Sequence, residues 1–147
     1  FLYSFGFGLS LGVAQHVASG TPRSEAAEVE GWYDYGFFPN GRGNVGDTPW
    51  LTQTDLSLWQ RFNLGRLDFS VGLTVLNLFD EDTPTRYWMW RNARFTSLPV
   101  TQDEFFQGFD YAEELAELGD EGLDPAFNMA DTFQLPREVR LTLKLEF

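Results

Sequence analysis

Four amphipathic segments, joined by one short and two long connections, predict an all-β fold: antiparallel strands forming part of the wall of a transmembrane barrel. Three observations carry this expectation. The chain ends on strict apolar–polar alternation that runs to a final phenylalanine. Its opening residues alternate as strictly, with small residues on the opposite face. The two long connections exceed what compact domains ordinarily contain, whereas barrels alternate short turns with long loops.

The first segment covers about 1–19. Phe1, Tyr3, Phe5, Phe7, Leu9, Leu11 and Val13 share one parity, against Leu2, Ser4, Gly6, Gly8, Ser10, Gly12 and Ala14. Large residues outward and small ones inward suit a barrel wall; a soluble sandwich more often sets a bulky core face against a charged one. The pattern is already under way at residue 1, with no initiator Met and no leader features, so further strands are expected upstream. Residues 20–50 form the first long loop, punctuated by Gly20-Thr21-Pro22, Pro39-Asn40-Gly41 and Gly46-Asp47-Thr48-Pro49.

The second segment, 51–64, sets Leu56, Leu58, Phe62 and Leu64 against Asp55, Ser57, Trp59 and Arg61. Gln60 falls on the apolar side, as an interfacial position or a bulge. Gly65-Arg66 is a tight hairpin connection to the third segment, 67–79, where Leu67, Phe69, Val71, Leu73 and Val75 oppose Asp68, Ser70, Gly72 and Thr74. The second long loop, 80–136, holds one expected short helix. Asp110 caps it, Glu113 completes an Asp-x-x-Glu box, Tyr111, Leu115 and Leu118 share a face, and Gly119 ends it. In the last segment, 137–147, Val139, Leu141, Leu143, Leu145 and Phe147 are apolar, and Glu138, Arg140, Thr142, Lys144 and Glu146 are not. Lipid contact is expected of the apolar rows, including Phe5, Phe7, Leu9, Leu11, Phe69, Val71 and Leu73. Four strands cannot close a cylinder, so the sheet is expected to be curved and open.

Composition removes several function classes. A net charge of −12 argues against nucleic acid, which requires a basic footprint. There is no cysteine, and His16 is the one histidine, so thiolate chemistry, zinc cages and Ser-His-Asp triads lack their parts. No enzyme activity, cofactor or metal site is expected. The second loop is strongly acidic. With no Asp-x-Asp-x-Asp-Gly spacing, it reads as a charge-solvated loop rather than a calcium site. Tyr87, Trp88, Met89 and Trp90 cluster past the third strand as an interfacial aromatic girdle, with ligand contact through Trp88 and Trp90 as the alternative.

Three motifs carry a family resemblance. Gly41-Arg42-Gly43-Asn44-Val45-Gly46-Asp47-Thr48-Pro49-Trp50 leads into Thr52-Gln53-Thr54-Asp55-Leu56. Asn77-Leu78-Phe79-Asp80 follows the third strand. Phe133-Gln134-Leu135-Pro136-Arg137-Glu138 introduces the last one. Together they resemble the C-terminal end of TonB-dependent outer-membrane receptors, nearest to those with a carboxypeptidase-regulatory-like N-terminal domain. The resemblance implies the final section of a 22-stranded barrel in the outer membrane of a Gram-negative bacterium. Both long loops would be extracellular, and Gly65-Arg66 and the carboxyl end periplasmic. It further implies upstream strands and a plug of the same protein, TonB engaged through a region not matched here, and uptake of a scarce siderophore, cobalamin, oligosaccharide or peptide. Leu141, Leu143, Leu145 and Phe147 would then serve as the signal read by the barrel-assembly machinery. The alternative from another class is a soluble, lectin-like all-β module that binds ligand through its aromatic and acidic loops.

Overall fold

Alternating polarity forms extended pairs when each strand finds a partner in register, and here most of that alternation gathers in one sheet. The computed structural model describes residues 1–29, 36–65, 67–92 and 96–146. Within them, in chain order, lie β1 (Leu2–Ser4), β2 (Leu9–Ala18), β3 (Ala27–Glu28), β4 (Gly36–Phe37), β5 (Leu51–Asn63), β6 (Asp68–Leu76) and β7 (Pro84–Tyr87). Helices α1 (Gln102–Gln107) and α2 (Tyr111–Gly122) follow, then β8 (Ala130–Phe133) and β9 (Glu138–Glu146). Two compact units result: a sheet unit of residues 1–19, 50–83 and 133–147, and a loop unit of residues 20–49 and 84–132.

The sheet unit is one open antiparallel sheet in the order β1-β2-β5-β6-β9. Its four long strands have 10, 13, 9 and 9 residues, near the ~9–11 that a tilted transmembrane strand needs. Register keeps the apolar rows continuous. Tyr3, Leu11, Leu58, Leu73 and Leu141 are successive partners across all five strands; Val13, Leu56, Val75 and Val139 make a parallel row across four. The opposite face carries Ser10, Trp59, Gly72 and Thr142 in one row and Gly12, Ser57, Thr74 and Arg140 in the next.

The expectation of a single strand over 1–19 is corrected. Residues 1–19 form a hairpin, so the sheet has five strands rather than four, and Phe5 and Phe7 lie in its turn instead of on a strand. The Phe5 N–H donates to the Leu9 carbonyl (2.7 Å) and the Gly8 N–H to the Phe5 carbonyl (3.1 Å). Gly8 has φ +93°, and a Cβ there would stand 2.6 Å from the Arg61 carbonyl oxygen, so glycine serves both the turn and the close approach. Paired residues have equal parity, as in Tyr3 with Leu11 and Ser4 with Ser10. Period-2 alternation therefore runs through this turn without a break. Gln60 is not a bulge. It pairs with both Leu9 and Val71, and its amide donates to the Phe7 carbonyl at 3.1 Å, holding the turn.

With the extra hairpin, the connections run short, long, short, long, and both short ones fall at the same end of the sheet. In the second, Gly65 has φ +79°, its N–H donates to Asn63 Oδ1 (3.1 Å), and Arg61 and Asp68 pair across the strands at 2.6 Å. Arg66 lies outside the described residues, as does the terminal Phe147.

The loop unit has its own core. Ala27, Val29, Leu98 and Val100 are buried together, with Phe37, Phe105, Phe109, Tyr111, Leu115 and Leu118 packed around them. Residues from the two long loops pair directly, Ala26 beside Trp90 and Val29 beside Leu98. Buried Asn92 bridges them too, accepting from the Glu28 N–H at 2.9 Å and donating to the Glu28 and Thr96 carbonyls. The expected helix is present. Asp110 accepts from the Ala112 and Glu113 N–H groups, and Gly119, at φ +69°, breaks the helical geometry. The expectation of a single helix is corrected by α1, opened by a reciprocal capping box between Thr101 and Glu104. Among the described residues no helix is long and apolar enough to cross a membrane, which says nothing of strands.

Candidate functional site

Three features have functional potential: the apolar face of the sheet, the polar root where loop meets strand, and a basic pocket in the loop unit.

On the sheet, Leu9 and Leu11 lie in β2, Phe69, Val71 and Leu73 in β6, and Leu141, Leu143 and Leu145 in β9, all on the apolar face. Phe69 pairs with Leu145, Val71 with Leu143 and Leu73 with Leu141. Leu141, Leu143 and Leu145 remain 60–71% exposed. Phe5 and Phe7 leave the strand but keep ring contacts beyond its end, Tyr3 edge-on to Phe5 with centroids 4.7 Å apart and Phe5 tilted against Phe7 at 5.3 Å. Burial in this unit is the inverse of a soluble domain. Among its described residues, Val75 is the one buried hydrophobic side chain, while Thr54, Asn77 and Gln134 are buried polar ones.

Those buried polar groups mark the root, where all three sequence motifs converge. Asn77 is 2% exposed and has φ +50°, a conformation Asn tolerates better than most residues. Its amide donates to the carbonyls of Glu81 and Leu135, each at 2.8 Å, and its Oδ1 accepts from the Glu81 N–H at 3.0 Å. Its own N–H donates to Asp55 Oδ1 at 2.9 Å. Asp80, also at positive φ, accepts from the Arg137 N–H at 2.8 Å and faces the Arg137 guanidinium at 3.8 Å. Gln134 donates to the Thr52 carbonyl at 2.9 Å, and the Thr52 hydroxyl donates to Glu81 Oε1 at 2.6 Å. The Asn-Leu-Phe-Asp box therefore clamps the exit of β6, the entry of β5 and the approach to β9. Leu78 contributes through its backbone, donating to the Thr54 carbonyl at 2.7 Å, and the Phe79 side chain is exposed. The roles of Thr52, Asp55, Gln134 and Arg137 were not predicted from sequence, although each lies within a motif already singled out.

Trp88 and Trp90 lie in the loop unit and are half-buried. The Trp88 indole N–H donates to Asp124 Oδ2 at 2.6 Å, and the Trp90 ring lies over Gly36, where a Cβ would clash with it. Trp88 lines a pocket of about 480 Å³ together with Arg23, Phe38, Arg42, Tyr87 and Met89. A second, more open depression contains Glu25, which accepts from the Tyr111 hydroxyl at 2.9 Å and lies 3.7 Å from the Arg91 guanidinium. Burial first, then the bond to the Glu25 carboxylate, pushes the Tyr111 phenol well above its ordinary range. Among the described residues, the carboxylates of the acidic loop do not gather with His or one another in a group of three that could hold a metal. Asp131 is instead held below the usual carboxylate range by its hydrogen bond from Arg86. Comparison with family models, with curated proteins and with solved structures finds no match to this chain.

Proposed function

We propose that this chain is a section of the wall of a TonB-dependent transporter in a Gram-negative outer membrane, which uses inner-membrane energy to take up a scarce nutrient. The observation that carries the reading is the uncovered apolar face. Five strands present continuous apolar rows, yet their unit buries one hydrophobic side chain among its described residues. In water, such a face would expose several hundred Å² of contiguous apolar surface, more than soluble monomers usually tolerate. Lipid removes that cost, and the polar face then meets the barrel interior. Strand lengths and the placement of short turns at one end and long loops at the other support the same reading. So does the resemblance of the converging root motifs to the transporter family. The exposed edges of β1 and β9 fit pairing with further strands of the same barrel.

A lectin-like sandwich would need a second apolar layer over the first. Among the described residues the remaining ladders, β3 with β4 and β7 with β8, have strands of two and four residues and offer no such layer. The test is expression with and without detergent. Association with membranes, and folding only in detergent or lipid, is expected. A monodisperse monomer in plain buffer that melts cooperatively would overturn the proposal.

A further inference from the structure

The loop unit contains a cationic pocket in a chain that is otherwise strongly acidic. Acidic residues number 22 against 10 basic ones. Among the described residues, the pocket between residues 21–48 and 85–89, lined also by Phe127 and Asn128, nevertheless presents Arg23, Arg42 and Arg86 and no Asp or Glu. Its volume of about 480 Å³ falls within the ~300–1,000 Å³ usual for small-molecule sites.

The three arginines differ in what they have left to offer. Arg86 is already neutralised by Asp131 at 2.9 Å. Arg23 is fixed: it stacks on the Tyr87 ring at 4.2 Å and donates to Asn128 Oδ1 (2.6 Å) and the Val45 carbonyl (3.0 Å). Its Nε is buried with no hydrogen-bond partner among the described residues. Among the described residues, neither Arg23 nor Arg42 has a carboxylate within ion-pair distance. The Arg42 guanidinium stacks on Phe38 at 4.9 Å, between Gly41 and Gly43, and makes no hydrogen bond to described protein groups. Among the described residues its planar fork of N–H donors is therefore unclaimed, in a geometry that matches a carboxylate. Trp88, Met89 and Phe127 supply flat and adaptable apolar surface on the same pocket.

We propose that this pocket binds a small planar organic acid, its carboxylate on the Arg42 fork beside the fixed charge of Arg23 and its ring against the aromatic wall. A neutral sugar would leave two cations unused, and a metal cation would find no carboxylate among the described lining residues to hold it. The surrounding acidic surface would repel such an anion at long range, so the pocket offers a local reversal of sign rather than a steering field. That the acid is transported cargo rests on the transporter reading above; binding to the pocket does not.

The test uses the full chain in a zwitterionic detergent and fluorine NMR with two probes, 4-(trifluoromethyl)benzoate and its neutral amide. The acid is expected to bind at least tenfold tighter than the amide. Arg42→Gln should reduce the acid to the affinity of the amide, and Arg42→Lys should recover part of the loss. Lys144→Gln, the same charge change on the sheet, should leave both affinities unchanged. Equal binding of acid and amide, no saturable binding of the acid, or equal effects of Arg42→Gln and Lys144→Gln would overturn the proposal. Because the readout is binding rather than uptake, its failure leaves the barrel reading standing. Failure of the barrel reading likewise leaves this measurement valid.

Discussion

Replacing Asn77 separates two contributions that the root combines, hydrogen bonding and backbone conformation. The side chain makes three hydrogen bonds at 2.8–3.0 Å, in a position 2% exposed. Each contributes ~1 kcal/mol net, and Ala leaves the Glu81 N–H and two carbonyls without their partner. The φ of +50° adds ~1 kcal/mol for an alanine and almost nothing for glycine. Asn77→Ala should therefore cost ~4 kcal/mol and Asn77→Gly ~3 kcal/mol, the reverse of their usual order in regular structure. Asn77→Asp keeps the acceptor but turns a carboxylate oxygen toward the carbonyls of Glu81 and Leu135. That repulsion, with two carbonyls left without their donor, should make this variant destabilised as well. Urea unfolding of the chain in detergent, followed by tryptophan fluorescence, measures all three. If Ala is milder than Gly, the left-handed assignment fails. If both variants lie within ~0.5 kcal/mol of the parent, the root does not hold the loops.

Other consequences are as direct. Leu143 lies one residue from the centre of a strand whose nine residues, at ~3.4 Å each and a tilt of ~40°, span roughly 23 Å. On the proposed barrel reading, Leu143→Arg should then cost ~2–4 kcal/mol in a bilayer, and Thr142→Arg, on the opposite face beside Gly72, far less. Equal tolerance at the two positions, measured as membrane abundance and heat-modifiable mobility, would reverse the faces. A Cβ at Gly72 would meet the Trp59 ring at 2.7 Å, so Gly72→Ala should cost ~1–3 kcal/mol alone and much less in a Trp59→Ala background, measured as a double-mutant cycle. The Tyr111 phenol has its pKa raised above the ordinary 10.0, so its contribution to stability is complete below that pH and is lost only as pH rises through the folded value. Ultraviolet titration should show a late phenol that is lost in Tyr111→Phe. Thr101→Ala removes the α1 capping box and should cost ~1 kcal/mol, visible as faster amide exchange over 102–107.

What could be read from residues alone was polarity, and polarity reports faces better than turns. The strands at 51–63, 68–76 and 138–146 fall within two or three residues of their expected bounds, because a side chain that changes face every residue fixes both period and register. The opening hairpin was hidden for a definite reason. When paired positions share parity, residues on one face of the first arm continue onto the same face of the second, and alternation shows no break. The cue was compositional: Gly6 and Gly8 flank Phe7, a density of glycine that marks a turn more readily than a strand interior. Helix α1 was legible too, since Thr101-Gln102-Asp103-Glu104 is a capping-box spacing, but its six residues carry no full apolar stripe to draw attention.

The loop unit and the root show where such reading ends. Nothing in the spacing of Val29 and Leu98, or of Arg23 and Asn128, predicts that they meet, because long-range contact is fixed by packing rather than by local period. The root motifs were conspicuous as strings, yet their common purpose depends on one side chain, Asn77, reaching both Glu81 and Leu135. That geometry suggests why a long loop can be attached to a sheet with so little apolar burial. Backbone groups leaving β6 and approaching β9 lose their ladder partners at the end of the sheet, and each unpaired buried group costs ~1–3 kcal/mol. Buried polar side chains at the root replace those partners, so the strands can end sharply without fraying into the loop. The same device leaves the loop unit free to build its own core, and with it a pocket whose charge is opposite to that of the chain.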